Sequence, residues 1–446
     1  MLTRLREKNP LPSGAIPVAV GLVVNGLTTY AFFGIASRHF GTSVEGAAAF
    51  SALSALWSLL FGLGNGAMQP LEQEVARAVS ARRARGLGAG PVLKRAMLIG
   101  AAFTGVLLVV LGLTYSVVRT RLLGDRGTLV ACLAIGLVGF CVGHLTRGAF
   151  SSHGRFRSYA VYFGGEGAFR FVGAVLLIVF GASALGLRTE LGLWGLALCL
   201  SPLLAAGVSL ARQRGMLTPG PPAEWGELTT NLGWLLLGAG SLSLLLQSGT
   251  LAVQWFGADT DPSAAGQFQK GLLIARVPLF LFQAVLASLL PKLARLATEG
   301  KLREFRSSLR SLVLLILGGG AVASIGAGLV GPWAASRLFG EGSIVGGRDL
   351  ALLAVSHVLI MAAICLDQGL IALGGHSRMA IGWLMALITF SVATAIGTDL
   401  FLRVEIGLVL AGMVSLVWMY RSISVRMRQQ ASAPPGAASL ASEVLI

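Results

Sequence analysis

The chain has 446 residues, of which 55% are apolar and only 12% are charged, and its formal net charge is +16. A mean hydropathy of +0.78 excludes a water-soluble domain of this size. A nucleic-acid-binding protein would carry its basic residues on a water-soluble face. This composition does not provide such a face, so we expect no nucleic-acid partner. The composition is that of a membrane protein with several spans.

Segments long enough to cross about 30 Å of hydrocarbon recur along almost the whole chain. The first follows a basic stretch like that of a signal peptide, but its apolar run is too long for one, so we expect it to be retained. The pattern predicts an all-α polytopic membrane protein with twelve transmembrane helices. The predicted spans are 14–36, 46–67, 94–114, 128–149, 158–180, 191–211, 231–254, 266–290, 309–332, 349–373, 378–398 and 404–422.

Lys and Arg residues are concentrated at the N-terminus and in the loops that follow even-numbered spans. Basic loops face the cytoplasm, so both termini are predicted to be cytoplasmic. One of these loops, residues 291–310, is expected to lie as an amphipathic segment on the inner membrane surface. Its apolar residues predicted to face lipid are Leu293, Leu296, Leu302 and Phe305.

A polar segment rich in Pro and Gly, "RQRGMLTPGPPAEWGE" (212–227), divides the chain into two sets of six spans. Both sets begin on the cytoplasmic side, so we predict two six-helix lobes related by a pseudo-twofold axis along the membrane normal, an arrangement typical of transporters. The predicted parts are an N-terminal lobe (1–211), a cytoplasmic linker (212–230), a C-terminal lobe (231–425) and a disordered cytoplasmic tail (426–446).

The eighth span contains two cations, Lys270 and Arg276. A charge near the bilayer centre costs about 2.5–3.5 kcal/mol, so Arg276 either serves a cavity or pairs with Asp367 or backbone carbonyls. Lys270 either has a role in binding or extends its ammonium to the interface. Polar residues spaced by seven form stripes on two spans, and their glutamines either bind substrate or join helices. The stripes are Gln247 and Gln254 on the seventh span, and Gln269, Arg276 and Gln283 on the eighth.

Two further groups of buried polar residues are predicted within the spans. Glu166 and Arg170 stand four residues apart with the acid first, which predicts an ion pair that serves as a structural lock or as a proton site. Asp367 either pairs with a cation or titrates during transport. His144 and His357 are interpreted as hydrogen-bonded helix contacts, and no metal or cofactor site is predicted.

Three stretches resemble the multidrug/oligosaccharidyl-lipid/polysaccharide (MOP) exporter superfamily, and within it the bacterial polysaccharide-type flippases. The second span with its exit, residues 43–79, and the eighth span, beginning "AGQFQKGLLIARVPLFLFQAVL", are two of them. The third is "RGAFSSHGRFRSYAVYFGGEGAFRFVGAVLL" (147–177), which is similar to an RG-x-x-x-x-x-G-RF-x-x-Y entry to the fifth span.

The resemblance implies a central cavity lined by spans one, two, seven and eight, which would bring the glutamine stripes and Arg276 toward Asn25. It also implies a flippase that moves a polyprenyl-diphosphate-linked oligosaccharide across the bacterial cytoplasmic membrane by alternating access, for surface polysaccharide synthesis. The partners that the resemblance implies are the lipid-linked substrate, membrane lipids, a polysaccharide polymerase and glycosyltransferases.

Multidrug antiport is the main alternative function, because it would share this fold. Cationic drugs favour acidic cavities, whereas the eighth span carries cations. A peptidoglycan-precursor flippase is a weaker alternative, since those proteins generally have fourteen spans. An enzyme is not expected, because the chain shows no large outer loop, nucleophile motif or metal cluster.

Overall fold

The computed structural model describes residues 15–230, 232–279, 289, 293–340 and 345–431. Within these ranges the regular structure is entirely helical, which confirms the predicted all-α fold class. The long helices are α1 (Ala15–Phe40), α2 (Val44–Ala84), α3 (Gly90–Leu113), α4 (Gly127–Ser152), α5 (Phe156–Val179), α6 (Leu187–Leu210), α7 (Leu232–Gly257), α8 (Ala264–Ala275), α9 (Leu302–Phe339), α10 (Gly347–Ala372), α11 (His376–Ala395) and α12 (Leu400–Ala431).

Eleven helices among the described residues are long and apolar enough to cross a membrane, and α8 belongs to the remaining predicted span. Backbone groups in hydrocarbon must find partners within their own segment, which is why long apolar runs become helices there. About 78% of the apolar window is buried in α2 and in α10, against 17% in α9. Thus α2 and α10 are internal helices, whereas α9 turns most of its surface to lipid.

The chain divides into two compact units. Unit 1 contains the described residues up to Ile35, together with Met68–Tyr115 and Thr128–Thr230. Its interior includes Phe32 and Trp194, both fully buried, with ring centroids 5.6 Å apart. The boundary between the two units falls within α1 and within α2, so each of these helices contributes to both units.

The predicted linker is held against unit 1 by a buried arginine on α2. Arg82 donates to the carbonyl oxygens of Pro221 and Pro222 and pairs with the Glu227 carboxylate at 2.8 Å. A side chain at Gly88 would meet the Pro219 carbonyl oxygen at 1.9 Å, so only glycine permits this close approach of the two backbones.

Unit 2 contains Ala36–Ala67, Ser116–Gly127 and the described residues that follow Thr230. The segment from α2 packs closely on α7, where a Cβ at Gly66 would lie 3.0 Å from the Gly240 Cα. Small residues allow this approach, and the Ser243 hydroxyl then donates to the Phe61 carbonyl at 3.0 Å.

Three sequence-based expectations need correction. Within the described residues the eighth span is not one continuous helix, because α8 ends at Ala275, and Pro278, which follows, has no backbone N–H to donate. Three of the four residues of the 291–310 segment that were predicted to face lipid lie in the core of unit 2 instead: Leu293, Leu296 and Phe305 are 0%, 3% and 0% exposed, whereas Leu302 is partly exposed. Residues 426–431 are helical, because α12 continues to Ala431.

Candidate functional site

Arg276 lies at the break of the eighth span. Its backbone N–H donates to the Leu272 carbonyl at 3.0 Å and so closes the last turn of α8. Residues 277–279 are helical again after a one-residue turn. The guanidinium of Arg276 therefore extends from the turn between two helical segments of the eighth span.

The guanidinium is held by two other helices and is 7% exposed. Its Nε donates to His357 Nε2 of α10 at 3.2 Å, and its Nη1 donates to Gln247 Oε1 of α7 at 3.3 Å. Its Nη2 donates to the Leu246 carbonyl oxygen of α7. These three acceptors are neutral groups, and together they orient the guanidinium.

The surrounding hydrogen bonds define the tautomer of His357. Its Nδ1 lies 2.8 Å from the Leu353 carbonyl oxygen, which can only accept, so Nδ1 carries the hydrogen. Nε2 is therefore unprotonated and accepts a hydrogen bond from Arg276. His357 is a helix contact, as predicted, and it serves specifically to orient Arg276 from α10.

The predicted glutamines differ in their surroundings. Gln247 contacts Arg276, whereas the Gln269 Oε1 accepts from Thr250 Oγ1 at 2.6 Å and joins α8 to α7. The Gln269 Nε2 has no hydrogen-bond partner in the described part of the chain. Gln254 is also buried on α7, at 6% exposed, and Gln283 lies outside the described residues. The predicted stripe of Gln269, Arg276 and Gln283 therefore stays a prediction, although α8 itself ends at Ala275.

Lys270 does not extend to solvent. It is 9% exposed, and its Nζ lies over the Phe50 ring, 5.3 Å from the centroid. An ammonium over an aromatic face is attracted by the ring quadrupole. This contact joins α8 to the part of α2 that belongs to unit 2.

Glu166 and Arg170 form the buried ion pair that their spacing predicted. Arg170 Nη2 lies 2.9 Å from Glu166 Oε1, and the two residues are 1% and 4% exposed. Arg170 Nη1 also donates to Thr29 Oγ1 at 2.8 Å, and Thr29 in turn donates to the Asn25 carbonyl at 2.7 Å. Asn25 belongs to unit 1 and Arg276 to unit 2, and their meeting in one cavity stays a prediction.

Glu166→Gln is expected to lower the free energy of unfolding by about 3–5 kcal/mol, because it leaves Arg170 buried without its counter-charge. Glu166→Gln/Arg170→Gln should recover much of that loss. Thermal unfolding of the purified variants in detergent measures both effects. A double variant that folds normally but does not transport would instead place the pair in the transport cycle.

Asp367 is not a partner of Arg276. It accepts from Trp383 Nε1 at 3.1 Å, and it is 6% exposed. It lies ten residues beyond His357 on α10, or about 15 Å along the helix axis. Arg276 therefore takes the other predicted option, a backbone carbonyl, together with two neutral side chains.

A second buried polar cluster, which the sequence did not predict, lies in unit 1 around Glu72 of α2. Arg147 Nε donates to Glu72 Oε2 at 2.9 Å, and His144 Nδ1 lies 2.8 Å from the same oxygen. The Tyr159 hydroxyl donates to Glu72 Oε1 at 3.1 Å. We call Glu72, His144, Arg147 and Tyr159 the Glu72 cluster; it joins α2, α4 and α5.

The sequence contained a signal for this cluster. Arg147 and Tyr159 belong to the RG-x-x-x-x-x-G-RF-x-x-Y segment that carried the family resemblance. The second span was predicted to end at residue 67, which placed Glu72 in a loop, whereas α2 continues to Ala84. The arginine and the tyrosine in the entry to the fifth span are therefore a sequence signal for an acidic partner in the folded protein.

Similarity to solved structures extends over nearly the whole chain. An inward-facing multidrug resistance MATE family transporter of the MOP superfamily aligns with a TM-score of 0.64 at 16% identity, covering 94% of this chain and 100% of that one. A MATE solved in complex with MaD5 aligns with a TM-score of 0.65 at 15% identity, covering 93% and 96%. The chain has the fold of these transporters.

A third solved structure with this fold is a MOP superfamily transporter from Pyrococcus furiosus, whose description states that reverse polarity of its binding pocket suggests a different function. It aligns with a TM-score of 0.59 at 17% identity and covers 93% of this chain and 95% of that one. These alignments support a multi-pass membrane protein. At this level of identity, they establish the fold alone.

Sequence comparison finds mycobacterial relatives. Uncharacterized protein Rv1510 of Mycobacterium tuberculosis is 26% identical over 377 residues, which is 83% of each chain. Uncharacterized protein Mb3654 of Mycobacterium bovis is 25% identical over 418 residues, covering 91% of this chain and 89% of that one. No protein-family profile matches the chain.

Proposed function

We propose that the protein is a flippase that moves a polyprenyl-diphosphate-linked oligosaccharide from the inner to the outer leaflet of the bacterial cytoplasmic membrane by alternating access. The observation that carries this proposal is the guanidinium of Arg276, buried at a helix break and oriented by three neutral acceptors. In this proposal both termini are cytoplasmic, and a polysaccharide polymerase and glycosyltransferases act on the same glycan.

The chemistry of arginine fits a diphosphate. A guanidinium presents several N–H donors in one plane and can donate to two phosphate oxygens at once. Burying such a charge in a membrane span is unfavourable, and an anionic substrate offsets the cost when it binds. Interactions in a site of low dielectric are also stronger than the same interactions in water.

The amides near Arg276 fit the glycan. An amide both donates and accepts, and so matches hydroxyl groups, which do the same. Gln247 contacts Arg276 directly, and the Gln269 Nε2 is a buried donor without a hydrogen-bond partner in the described ranges. An unsatisfied buried donor is costly, and a sugar hydroxyl would satisfy it.

Multidrug antiport is the second candidate function. Asp367 favours it, because its buried carboxylate contacts Trp383 through one oxygen, and the other oxygen has no hydrogen-bond partner within the described part of the chain. Such a group is suited to bind and release a proton during transport. The same fold occurs in the MATE transporters described above.

Reconstitution distinguishes the two functions. Liposomes carry a polyprenyl-diphosphate oligosaccharide with a fluorophore on the sugar, and an impermeant reductant quenches the fluorophore that is exposed outside. The flippase makes the whole population quenchable, whereas protein-free liposomes protect the inner-leaflet fraction. Fluorescent phosphatidylcholine, which should remain protected, controls for leakage and lipid scrambling.

A proton gradient with the cationic dye ethidium tests antiport in the same liposomes. We expect no gradient-dependent movement of ethidium. Dye movement together with a protected oligosaccharide would overturn the proposal in favour of antiport.

A further inference from the structure

Unit 2 contains an apolar cavity of about 350 Å³ beside the helix break of the eighth span. It lies between the residues that flank Arg276, one face of α9 and the middle of α10. Residues that represent its three walls are Val277 and Pro278, Gly326 and Val330, and His357 and Val358. We call this cavity the α9 groove.

The α9 wall of the groove is built from small residues. Two adjacent rows on that helix face, each at four-residue spacing, are mostly Gly or Ala up to residue 334, so that α9 leaves space where larger side chains would fill it. The rows are Ala323, Ala327 and Gly331, and Gly326, Val330 and Ala334.

The groove is accessible from the lipid side. Val277, Val330 and Leu338 line it and are 43%, 55% and 47% exposed. Val330 and Leu338 belong to α9, which buries only 17% of its apolar window. In a membrane these exposed surfaces contact hydrocarbon, so a chain can enter the groove sideways from the bilayer.

One end of the groove is polar. His357 lines it, and the bare Nε2 of this histidine accepts from Arg276. The cation therefore lies one side chain away from an otherwise apolar surface. This arrangement complements an amphiphile with a hydrocarbon chain and an anionic head.

We infer that the α9 groove binds the polyprenyl chain of the substrate while the diphosphate is directed toward Arg276. This inference rests on the proposed function, and it assigns a binding place to the lipid part of the substrate. The volume is near the lower end of ligand pockets, which begin at about 300 Å³, and so suits one hydrocarbon chain better than the two chains of a phospholipid.

Two matched substitutions on α9 test the groove. A Cβ at Gly326 or at Gly319 would meet no atom within 4 Å, so both positions accept a side chain without a backbone clash. Gly326 lines the groove, whereas Gly319 lies on an exposed part of the same helix. Gly326→Phe fills the groove, and Gly319→Phe controls for the same change of residue elsewhere on α9.

The probe is a polyprenyl diphosphate with a photoreactive group in its chain, added to the full-length protein in nanodiscs of phosphatidylethanolamine and phosphatidylglycerol. Mass spectrometry should place the label within residues 323–338 in the wild type and in Gly319→Phe. Labelling should fall roughly tenfold in Gly326→Phe, since excluding even about two methylene groups from an apolar site has that effect.

Three outcomes would overturn the groove assignment. The first is unchanged labelling of residues 323–338 in Gly326→Phe. The second is equal labelling by a photoreactive phosphatidylethanolamine that excess polyprenyl diphosphate does not displace, because the occupant would then be a bulk lipid. Wild-type oligosaccharide transport with label only outside the groove would also reject the groove and leave the proposed function standing. Label in the groove of a wild-type protein that does not transport the oligosaccharide would reject the proposed function and leave the groove as a lipid-binding site.

Discussion

Arg276→Ala is expected to lower transport of the lipid-linked oligosaccharide by about a hundredfold, because two charge-assisted hydrogen bonds to the diphosphate are lost. Arg276→Lys should retain intermediate activity, roughly tenfold below the wild type, since lysine keeps the charge but loses the planar fork. Quenching of the sugar fluorophore in proteoliposomes measures both rates.

Protein amount must be controlled in this comparison. Arg276→Ala removes the donor to Leu246, Gln247 and His357, which lowers stability, while removal of a buried charge raises it. Rates are therefore expressed per folded molecule. Arg303→Ala, at an exposed position near the start of α9, is the matched control and should transport normally. A wild-type rate per molecule in Arg276→Ala would exclude a role for this residue in substrate binding.

Glu72→Gln should destabilise the protein by about 3–5 kcal/mol, because it leaves Arg147 buried without the carboxylate that it contacts. Arg147 and Glu72 side chains are each 11% exposed, so solvent cannot replace the lost interaction. Thermal unfolding of purified protein in detergent measures the change. Glu45→Gln, at an exposed position of the same helix, is the control and should have little effect.

The double variant Glu72→Gln/Arg147→Gln separates the ion pair from the rest of the cluster. It should recover part of the loss, while His144 and Tyr159 still lack their carboxylate acceptor. Equal stability of Glu72→Gln and Glu45→Gln would show that the Glu72 cluster does not stabilise unit 1.

Hydropathy predicted the positions of the helices because insertion in hydrocarbon depends mainly on apolar length. It did not predict where α2 ends, since the half of that helix beyond residue 67 contains charges that are buried by other helices. Glu72 is an example, because its burial depends on Arg147 and Tyr159, which are far along the chain.

The site was predictable where its interactions are local. The Glu166–Arg170 pair follows from spacing on one helix, so the sequence identified both residues and their contact. The sequence singled out Arg276 as a costly charge but not its partners, which come from α7 and α10. The stripe on the eighth span stays a prediction, because α8 ends at Ala275 and Gln283 lies outside the described residues.

The setting of Arg276 also has a consequence for how the chain enters the membrane during synthesis. A cation in the middle of a span costs about 2.5–3.5 kcal/mol on the insertion scale, and α8 is only 12 residues long. Two of the acceptors that hold the guanidinium lie on α7, which emerges from the ribosome first, whereas His357 follows Arg276 by 81 residues. We therefore expect the seventh and eighth spans to insert as a hairpin, in which α7 supplies acceptors that lower the cost of inserting Arg276.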